Sequence, residues 1–239
     1  MKKIIVVIPT YNEIDNILKL YSSLVKLKIK IDILFVDDNS TDGTKEKILL
    51  LSKKTNVHFI FRKKKLGIGS AHKDAFMWCY KKKYNFIITM DGDGTHKAKY
   101  IKIMLKSKSS FDMIITSRFI KKNSLKDWPK FRIILTKLRF YLINIMLGIR
   151  LDSSGAFRLI NTESINIKDL LLAKDNGYSY FWESLFILYN KNFKILEIPI
   201  IMPYRKDGSS KMKVIDIINA LYYLLIIFLK KKLGRYNFK

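Results

Sequence analysis

The sequence predicts an α/β protein built on a mostly parallel central sheet with helices on both faces. Short apolar runs rich in Ile, Val and Phe alternate with segments of helical spacing through the first half of the chain. Such runs are typical of strands buried on both faces, and this alternation is typical of parallel sheets. Polar clusters follow several of the runs, at the strand ends where such sheets bind ligands.

Each predicted element rests on its own stretch of residues. Buried apolar runs predict strands at 4–8, 31–36, 57–61, 86–90 and 113–116, and less regular runs predict strands at 156–160 and 195–201. Helical spacing predicts helices at 14–27, 44–52, 70–81, 97–105, 131–147, 180–189 and 214–229. We divide the chain into a main domain over residues 1–211 and a C-terminal amphipathic helix with a basic tail over 212–239.

Composition excludes two classes of protein. Hydrophobic residues make up 49% of the 239 residues, so the chain is not intrinsically disordered. Cys79 is the only cysteine, which excludes a disulfide scaffold and favours a reducing compartment. The 46 Lys and Arg against 20 Asp and Glu give a net charge of +26, which suits nucleic acid, anionic lipid or phosphorylated ligands. A genome rich in A and T accounts for many of these lysines equally well.

Two acidic motifs end predicted strands. Asp91-Gly92-Asp93 places carboxylates at i and i+2, a pattern that can hold Mg²⁺ or Mn²⁺ and bridge it to a diphosphate. A polar turn is the simpler alternative for this motif alone. Asp37-Asp38 follows another strand, and repulsion between acids at one sheet edge favours a bound cation or donor there.

Cations form two further patterns. The basic loop at residues 62–71 contains Gly67 and runs into a helix start, which favours an anion. Arg132, Thr136 and Arg139 stand at i, i+4 and i+7 and therefore share one face of a predicted helix. Arginine forks match phosphate oxygens, although a solvated face of an amphipathic helix has the same spacing.

Motifs along nearly the whole chain resemble the family 2 glycosyltransferases of GT-A fold. The superfamily motifs are VIPTYNE (7–13), VDDNSTDGT (36–44) and MDGD (90–93). Further motifs resemble the dolichol- or polyprenol-phosphate mannosyltransferases: KLGIGSA (65–71), TSR (116–118), SGAFRL (154–159), EIPI (197–200) and YRKDGSSK (204–211). Thr95 departs from the family's usual Gln or Ser, which leaves the third metal ligand open.

The resemblance implies a role for each matching residue. The residues expected to bind the nucleotide sugar are Pro9, Tyr11, Glu13, Asp37, Asp38, Gly67, Asp91, Gly92, Asp93, Arg205 and Lys211. The expected metal ligands, for Mg²⁺ or Mn²⁺, are Asp91, Asp93 and Thr95. The residues expected to grip an acceptor phosphate are Arg118, Arg132 and Thr136. Asp91, Asp93 and Arg118 form the expected catalytic set, and Glu183 lies either near the sugar or in a buried structural contact.

The implied reaction transfers a hexose, mannose from GDP-mannose in the first place, to the phosphate of a polyprenyl or dolichyl phosphate with inversion. An alternative keeps the fold and uses a UDP-sugar, either glucose or N-acetylhexosamine, with a lipid or cell-surface glycan as acceptor. A basic nucleic-acid-binding protein is a third hypothesis, but no binding module is recognisable in the sequence. The implied partners are the donor, the lipid acceptor and a membrane surface, with no nucleic acid and with a homo-oligomer left open.

Two predicted helices are the expected points of membrane contact: the helix at 131–147, which mixes arginines and a lysine with long apolar side chains, and the C-terminal helix. One stripe of this helix is apolar, Asp216, Asn219 and Tyr223 lie opposite it, and Lys230 to Lys232 follow. This pattern is typical of an interfacial helix, while a core helix and a membrane span are the alternatives. The apolar run at 4–8 is cut by Pro9 and is too short for a signal peptide. We therefore expect a cytoplasmic protein attached peripherally to the cytoplasmic face of a membrane.

Overall fold

The chain is built around a seven-stranded sheet. The computed structural model describes residues 2–204 and 214–238. The strands are β1 (Ile4–Thr10), β2 (Asp32–Asp37), β3 (Val57–Phe61), β4 (Phe86–Thr89), β5 (Met113–Ser117), β6 (Arg158–Asn161) and β7 (Ile195–Pro199). They are ordered β3-β2-β1-β4-β6-β5-β7. β6 runs antiparallel to β4 and β5, whereas every other pair is parallel, so the predicted mostly parallel sheet is confirmed.

Helices cover both faces of this sheet, as the sequence predicts. They are α1 (Ile17–Val25), α2 (Thr44–Leu51), α3 (Ile68–Lys81), α4 (Lys99–Lys106), α5 (Lys130–Leu147), α6 (Ile167–Leu171), α7 (Tyr180–Asn190) and α8 (Val214–Lys232). Successive side chains of a strand point to opposite faces. Val6 and Ile8 accordingly pack with α1, α2 and α4, whereas Ile5 and Val7 pack with α3, α6 and α7. Burial on both sides is why β1 reads as a continuous apolar run.

Several element bounds shift by two or three residues from the sequence prediction, and two differences, at α1 and α6, have a clear structural cause. α1 begins at Ile17, three residues after the predicted start. The intervening backbone is tied to the loop after β2, because the N–H groups of Asn12, Glu13 and Ile14 donate to Ser40, Thr44 and Asp42. The unpredicted α6 has only five residues, too few for a periodic signal, and a capping box built on Asn166 starts it.

α8 packs against α5 and α7 instead of the sheet. Leu224 and Ile227 are buried with Ile143 and Trp182 in a third apolar cluster. The predicted apolar stripe mostly faces solvent; its exposed members are Val214, Ile217, Ile218, Leu221 and Leu225. A core helix on the sheet is therefore the wrong alternative. Among residues 2–204 and 214–238, no helix is both long and apolar enough to cross a bilayer.

Candidate active site

A cavity of about 1050 Å³ lies where the carboxyl ends of β1, β2 and β4 meet. Pro9 reaches it from β1, Asp38 from the end of β2 and Asp91 from the end of β4. Parallel strands bring their carboxyl ends to one edge, so motifs distant in sequence become neighbours here. The other predicted donor-side and metal-binding residues that line the cavity are Tyr11, Glu13, Gly67, Gly92, Asp93 and Thr95.

Carboxylates gather at one end of this cavity. Asp93 Oδ1 accepts hydrogen bonds from the Thr95 N–H at 3.0 Å and the Thr95 hydroxyl at 2.7 Å. The Asp91 N–H donates to His96 Nδ1 at 2.9 Å, and the His96 ring stacks on Phe157. Burial, together with repulsion from Asp93 and Glu13, raises the pKa of Asp91 against the opposing pull of His96 and Arg118. A cation at this end would relieve that repulsion.

The donor atoms at this end suit a hard divalent cation. Asp91 and Asp93 offer only oxygen, the ligand atom that Mg²⁺ and Mn²⁺ prefer. Within the described part of the chain, no group of three or more His, Cys, Asp or Glu side chains could hold a metal ion. The two aspartates therefore fit a metal that takes its remaining ligands from the substrate and water. Thr95 holds Asp93 through its donated hydrogen bonds, which adds a positioning contact to its predicted role.

Asp38 and the basic loop form the next wall of the cavity. The Asp38 carboxylate accepts from Arg62 Nη1 at 2.9 Å and from the N–H groups of Leu66 and Gly67 at 2.9 and 3.0 Å. Gly67 has φ +98°, and a Cβ there would lie 2.5 Å from the Asn176 carbonyl oxygen, so only glycine fits. The Lys65 ammonium sits 3.9 Å from the centre of the Tyr11 ring.

Asp37 does not reach the cavity. Its side chain is fully buried and accepts hydrogen bonds from the Thr10 hydroxyl and the Ser40 N–H. Asp37 is the last residue of β2, whereas Asp38 begins the loop that follows, so these adjacent acids have different surroundings and only Asp38 lines the cavity. The expectation of a nucleotide contact for Asp37 is therefore corrected to a structural one: it ties the end of β1 to the loop after β2.

Arg118 and Asp152 form a buried pair at the other end of the cavity, where the charge of Arg118 still acts on Asp91. Arg118 Nε donates to Asp152 Oδ2 at 2.8 Å and Nη2 donates to Oδ1 at 2.6 Å, a bidentate geometry. The Arg118 main-chain N–H also donates to Asp152 Oδ2 at 3.0 Å, and Arg118 Nη2 donates to the Ser154 hydroxyl oxygen at 2.6 Å. Although burial raises the pKa of Asp152, the charge and hydrogen bonds of Arg118 outweigh it and hold that pKa below its usual value.

Two more arginines from α5 line the same end. Arg132 is exposed and lies over the Tyr204 ring at 5.6 Å, whereas Arg139 is partly buried. Arg139 Nε is shielded from solvent and finds no acceptor among residues 2–204 and 214–238. Burial and the like charge of Arg118 lower the pKa of Arg139 to about 10, so it remains charged at pH 7. Asp152 is hydrogen-bonded to Arg118 and acts on Arg139 only through its charge, which leaves Arg139 as an unmatched positive charge in the cavity lining.

Three of the predicted site residues are either outside the cavity lining or outside the described residues. Thr136 lies on the same helix as Arg132 and Arg139 but is not part of the cavity lining. Arg205 and Lys211, the predicted cations of the closing loop, lie outside the described residues. The structure therefore brings Arg118 and Arg132 together as the resemblance implies, but places Thr136 beside this group and not in it.

Sequence similarity to known proteins identifies the family to which this chain belongs. A model of the family described as glycosyl transferase family 2 matches residues 5–167, more than half of the chain. The chain belongs to this family. It is a glycosyltransferase, as its motifs predict, and the hypothesis of a nucleic-acid-binding protein is superseded.

Curated relatives of this glycosyltransferase bear names from one branch. A polyprenol monophosphomannose synthase from Mycolicibacterium smegmatis is 29% identical, covering 92% of this chain and 85% of its own. An undecaprenyl-phosphate mannosyltransferase from Micrococcus luteus is 29% identical, covering 88% and 87% respectively. A dolichol-phosphate mannosyltransferase from Pyrococcus furiosus is 29% identical, covering 93% of this chain and 64% of its own.

Solved structures of glucosyl-3-phosphoglycerate synthase from Mycobacterium tuberculosis share the fold. One, in complex with Mn²⁺, UDP and phosphoglyceric acid, superposes with a TM-score of 0.68 at 16% identity, covering 99% of this chain and 80% of that one. Another, with Mn²⁺, UDP and glucosyl-3-phosphoglycerate, has a TM-score of 0.65 at 16% identity, covering 99% and 81%. The predicted GT-A fold of the glycosyltransferase is confirmed.

Sequence reasoning missed several residues of the site. Asp152 stands alone in an irregular stretch, and no local pattern marks it as the partner of Arg118, 34 residues away. The sequence predicts a polar side for α8, but not that this side is a wall of the cavity. Four residues of α8 line it: Ile215, Asp216, Asn219 and Ala220. The sequence pattern that could have indicated this wall is the helical spacing of Asp216 and Asn219, which places both on the face of α8 opposite the exposed stripe.

Proposed function

We propose that this glycosyltransferase transfers mannose from GDP-mannose to the phosphate of a polyprenyl phosphate, with inversion at the anomeric carbon and with Mg²⁺ or Mn²⁺ as cofactor. The division of charge within one cavity carries the proposal. Asp91 and Asp93 at one end suit a metal-bound donor diphosphate. Arg118, Arg132 and Arg139 at the other suit a phosphate monoester. The names of the three curated relatives support mannose and a polyprenyl phosphate as substrates.

The acceptor would be its own nucleophile. A phosphate monoester is ionised near pH 7, so its oxygen needs no general base to attack the anomeric carbon. As this bond forms, the bond to the nucleoside diphosphate breaks on the opposite face, and the configuration inverts. Asp91 and Asp93 would hold the metal, which when bound neutralises charge on the leaving diphosphate.

The arginines would orient the acceptor phosphate. Asp152 and Ser154 engage Nε and Nη2 of Arg118, which leaves Nη1 as the nitrogen directed to a phosphate. Arg139 offers a buried Nε–H that has no acceptor among the described residues, and Arg132 adds charge nearer the solvent. Arg205 and Lys211 remain proposed diphosphate contacts on the strength of the sequence resemblance.

We also propose that the mouth of the cavity rests on a membrane surface. Both helices beside it expose large apolar side chains, such as Phe131 and Ile134 on α5 and Ile218 and Leu221 on α8. Lys230 and Lys232 at the end of α8 are exposed and would attract anionic headgroups, at ~1 kcal/mol per cation, whereas the Lys231 ammonium donates to the Leu147 carbonyl oxygen. Extraction of the protein from membranes by carbonate would support peripheral attachment, whereas extraction by detergent alone would contradict it.

A donor panel tests the reaction. The full chain is incubated with polyprenyl phosphate, Mg²⁺ or Mn²⁺, and either GDP-mannose, UDP-glucose or a UDP-N-acetylhexosamine, and the lipid extract is assayed for sugar. We expect mannose-labelled lipid from GDP-mannose, and no product after chelation of the metal. Labelling from a UDP-sugar alone would move the assignment to the alternative donor class, and no glycolipid with any donor would refute the acceptor.

A further inference from the structure

A single buried carboxylate connects the lipid-side helix α8 to the donor side of the cavity. Glu183, in the first turn of α7, is fully buried. Its Oε2 accepts from the N–H groups of Lys174 and Asp175 at 2.9 and 3.0 Å. Its Oε1 accepts from the hydroxyls of Tyr223 and Tyr236 at 2.8 and 3.1 Å. The two carboxylate oxygens of Glu183 therefore accept hydrogen bonds from different parts of the chain.

The first part is a loop that lines the cavity, residues 174–179, here named the donor loop. Asp175, Gly177, Tyr178 and Ser179 all face the cavity. The loop is joined to the start of α3, since the Ser70 N–H donates to the Asn176 carbonyl oxygen at 3.1 Å. The nearby Gly67 N–H donates to Asp38 in turn, so a shift of the donor loop would move the wall of the nucleotide-sugar site.

The second part is α8 with the C-terminal tail. Tyr223 lies on the face of α8 opposite the exposed stripe and contacts the Trp182 ring at 5.6 Å. Tyr236, in the tail, packs on Phe186 at 5.2 Å. Few residues bury α8, because only Leu224 and Ile227 of this helix are fully enclosed. Besides these apolar contacts, the Tyr223 hydroxyl donates to Glu183 and the Lys231 ammonium donates to the Leu147 carbonyl oxygen at 2.6 Å, so both side chains fix α8 to the body of the enzyme.

We propose that Glu183 is a positioning residue through which seating of α8 on a lipid surface orders the donor loop. If α8 moves away, Glu183 Oε1 loses its hydroxyl donors, and a buried carboxylate oxygen that is left without a donor is unfavourable. The carboxylate then shifts and releases the N–H groups of Lys174 and Asp175. A surface that holds α8 keeps both tyrosines in place and the donor loop closed. This inference rests on the proposed function, in which the enzyme works on a membrane.

Hydrogen exchange tests this coupling without relying on catalysis. Exchange of the Lys174 and Asp175 amides is measured with and without vesicles of phosphatidylcholine and phosphatidylglycerol. We expect the vesicles to slow this exchange in the wild type by roughly two- to tenfold, the size of one hydrogen bond's net contribution. Tyr223→Phe should lose that slowing while still floating with the vesicles. Tyr222→Phe is the matched control, because Tyr222 is the neighbouring tyrosine and is 67% exposed.

Kinetics provide the second measurement. With a short, water-soluble prenyl phosphate as acceptor, vesicles should raise kcat/KM for the donor in the wild type and Tyr222→Phe, but not in Tyr223→Phe. In a Glu183→Leu background, where no side-chain acceptor joins the two segments, adding Tyr223→Phe should make no further difference. Equal amide exchange and equal stimulation in the two tyrosine variants would overturn the coupling. A wild type that responds to vesicles in exchange but transfers no sugar would refute the proposed reaction and leave the coupling standing.

Discussion

The two ends of the cavity are built in opposite ways. At the donor end, Asp38 takes two main-chain N–H donors and one arginine, so its charge is met by fixed groups of the strand ends and the basic loop. At the acceptor end, Arg118 and Arg139 come from different elements, and Asp152 is hydrogen-bonded to Arg118 and acts on Arg139 only through its charge. The charge of Asp38 is thus already met at the donor end, whereas the acceptor end holds surplus positive charge in Arg139. Under the proposed function, this difference lets one cavity take a metal-bound diphosphate beside a phosphate monoester.

The largest expected effect comes from removing the charge of Asp152, the partner of Arg118 at the acceptor end. Asp152→Asn removes the charge that compensates the buried Arg118, so we expect the free energy of unfolding to fall by about 3–5 kcal/mol. Urea unfolding of the variant and the wild type measures this loss. Asp127→Asn serves as the control for loss of an exposed carboxylate.

The contribution of the Arg118–Asp152 pair to the free energy of unfolding depends on pH in a defined way. The pKa of Asp152 is lower in the folded than in the unfolded chain, so its contribution to stability is complete above the unfolded pKa of about 3.9. That contribution is lost as the pH falls below this value toward the folded pKa. The stability difference between the wild type and Asp152→Asn should therefore be constant from pH 7 to about pH 5 and shrink below about pH 4. A constant difference down to about pH 3 would contradict the assignment.

The next effect breaks the donor end. Asp93→Asn keeps the hydrogen bonds to Thr95 within reach but removes a charged metal ligand, so we expect transfer to fall by about 10²–10³-fold, as when a transition-state-stabilising group is removed. Initial rates at saturating Mg²⁺ or Mn²⁺ measure this loss. Asp15→Asn, an exposed carboxylate away from the cavity, should retain full activity. Undiminished transfer by Asp93→Asn would remove the metal role from this residue.

A smaller expected effect distinguishes binding of the acceptor from binding of the donor. Arg139→Met should raise the acceptor KM by roughly 10- to 100-fold, the size of a charged hydrogen bond, and leave the donor KM unchanged. Arg132→Ala should act in the same direction more weakly, because Arg132 is exposed. Steady-state kinetics varying each substrate in turn distinguish the two constants. The control is Arg150→Met, an exposed arginine outside the cavity, and equal donor and acceptor effects would contradict the division of the cavity.

The smallest effect is expected at Thr136. The sequence resemblance assigns this hydroxyl to the acceptor phosphate, but it is not part of the cavity lining. We expect Thr136→Ala to change the acceptor KM by less than about twofold, as for a surface substitution. A larger rise would show that α5 turns toward the phosphate when the lipid binds.

The fold was predictable because its signals are local. The strands of the first half are buried on both faces and form unbroken apolar runs such as β1, and turn residues separate them from amphipathic helices. The donor end followed from the same logic, since Pro9, Asp38 and Asp91 each stand at a strand's carboxyl end. The later start of α1 was not predictable, because hydrogen bonds from a loop about 30 residues away hold residues 12–14 out of the helix.

The acceptor end was predictable only in part. Helical spacing places Arg132 and Arg139 on one face of α5, but cannot show that Arg139 Nε is buried or that Arg118 is already paired. The partner of Arg118 is 34 residues away in an irregular stretch, where spacing carries no information. For Glu183 the sequence allows either a sugar contact or a structural contact. Its four donors come from two segments on either side of it in sequence, which no local pattern connects.

The α/β class and the acids at the strand ends could be predicted from the sequence, because periodicity and strand-end position are carried by neighbouring residues. Folding fixes which charged side chains line the cavity and how each is paired. Asp37 and Asp38 are adjacent and both buried, yet Asp37 accepts from Thr10 and Ser40 away from the cavity, whereas Asp38 lines it and is paired with Arg62. The burial and pairing of a charged side chain depend on neighbours that are distant in sequence, so no local pattern reports them.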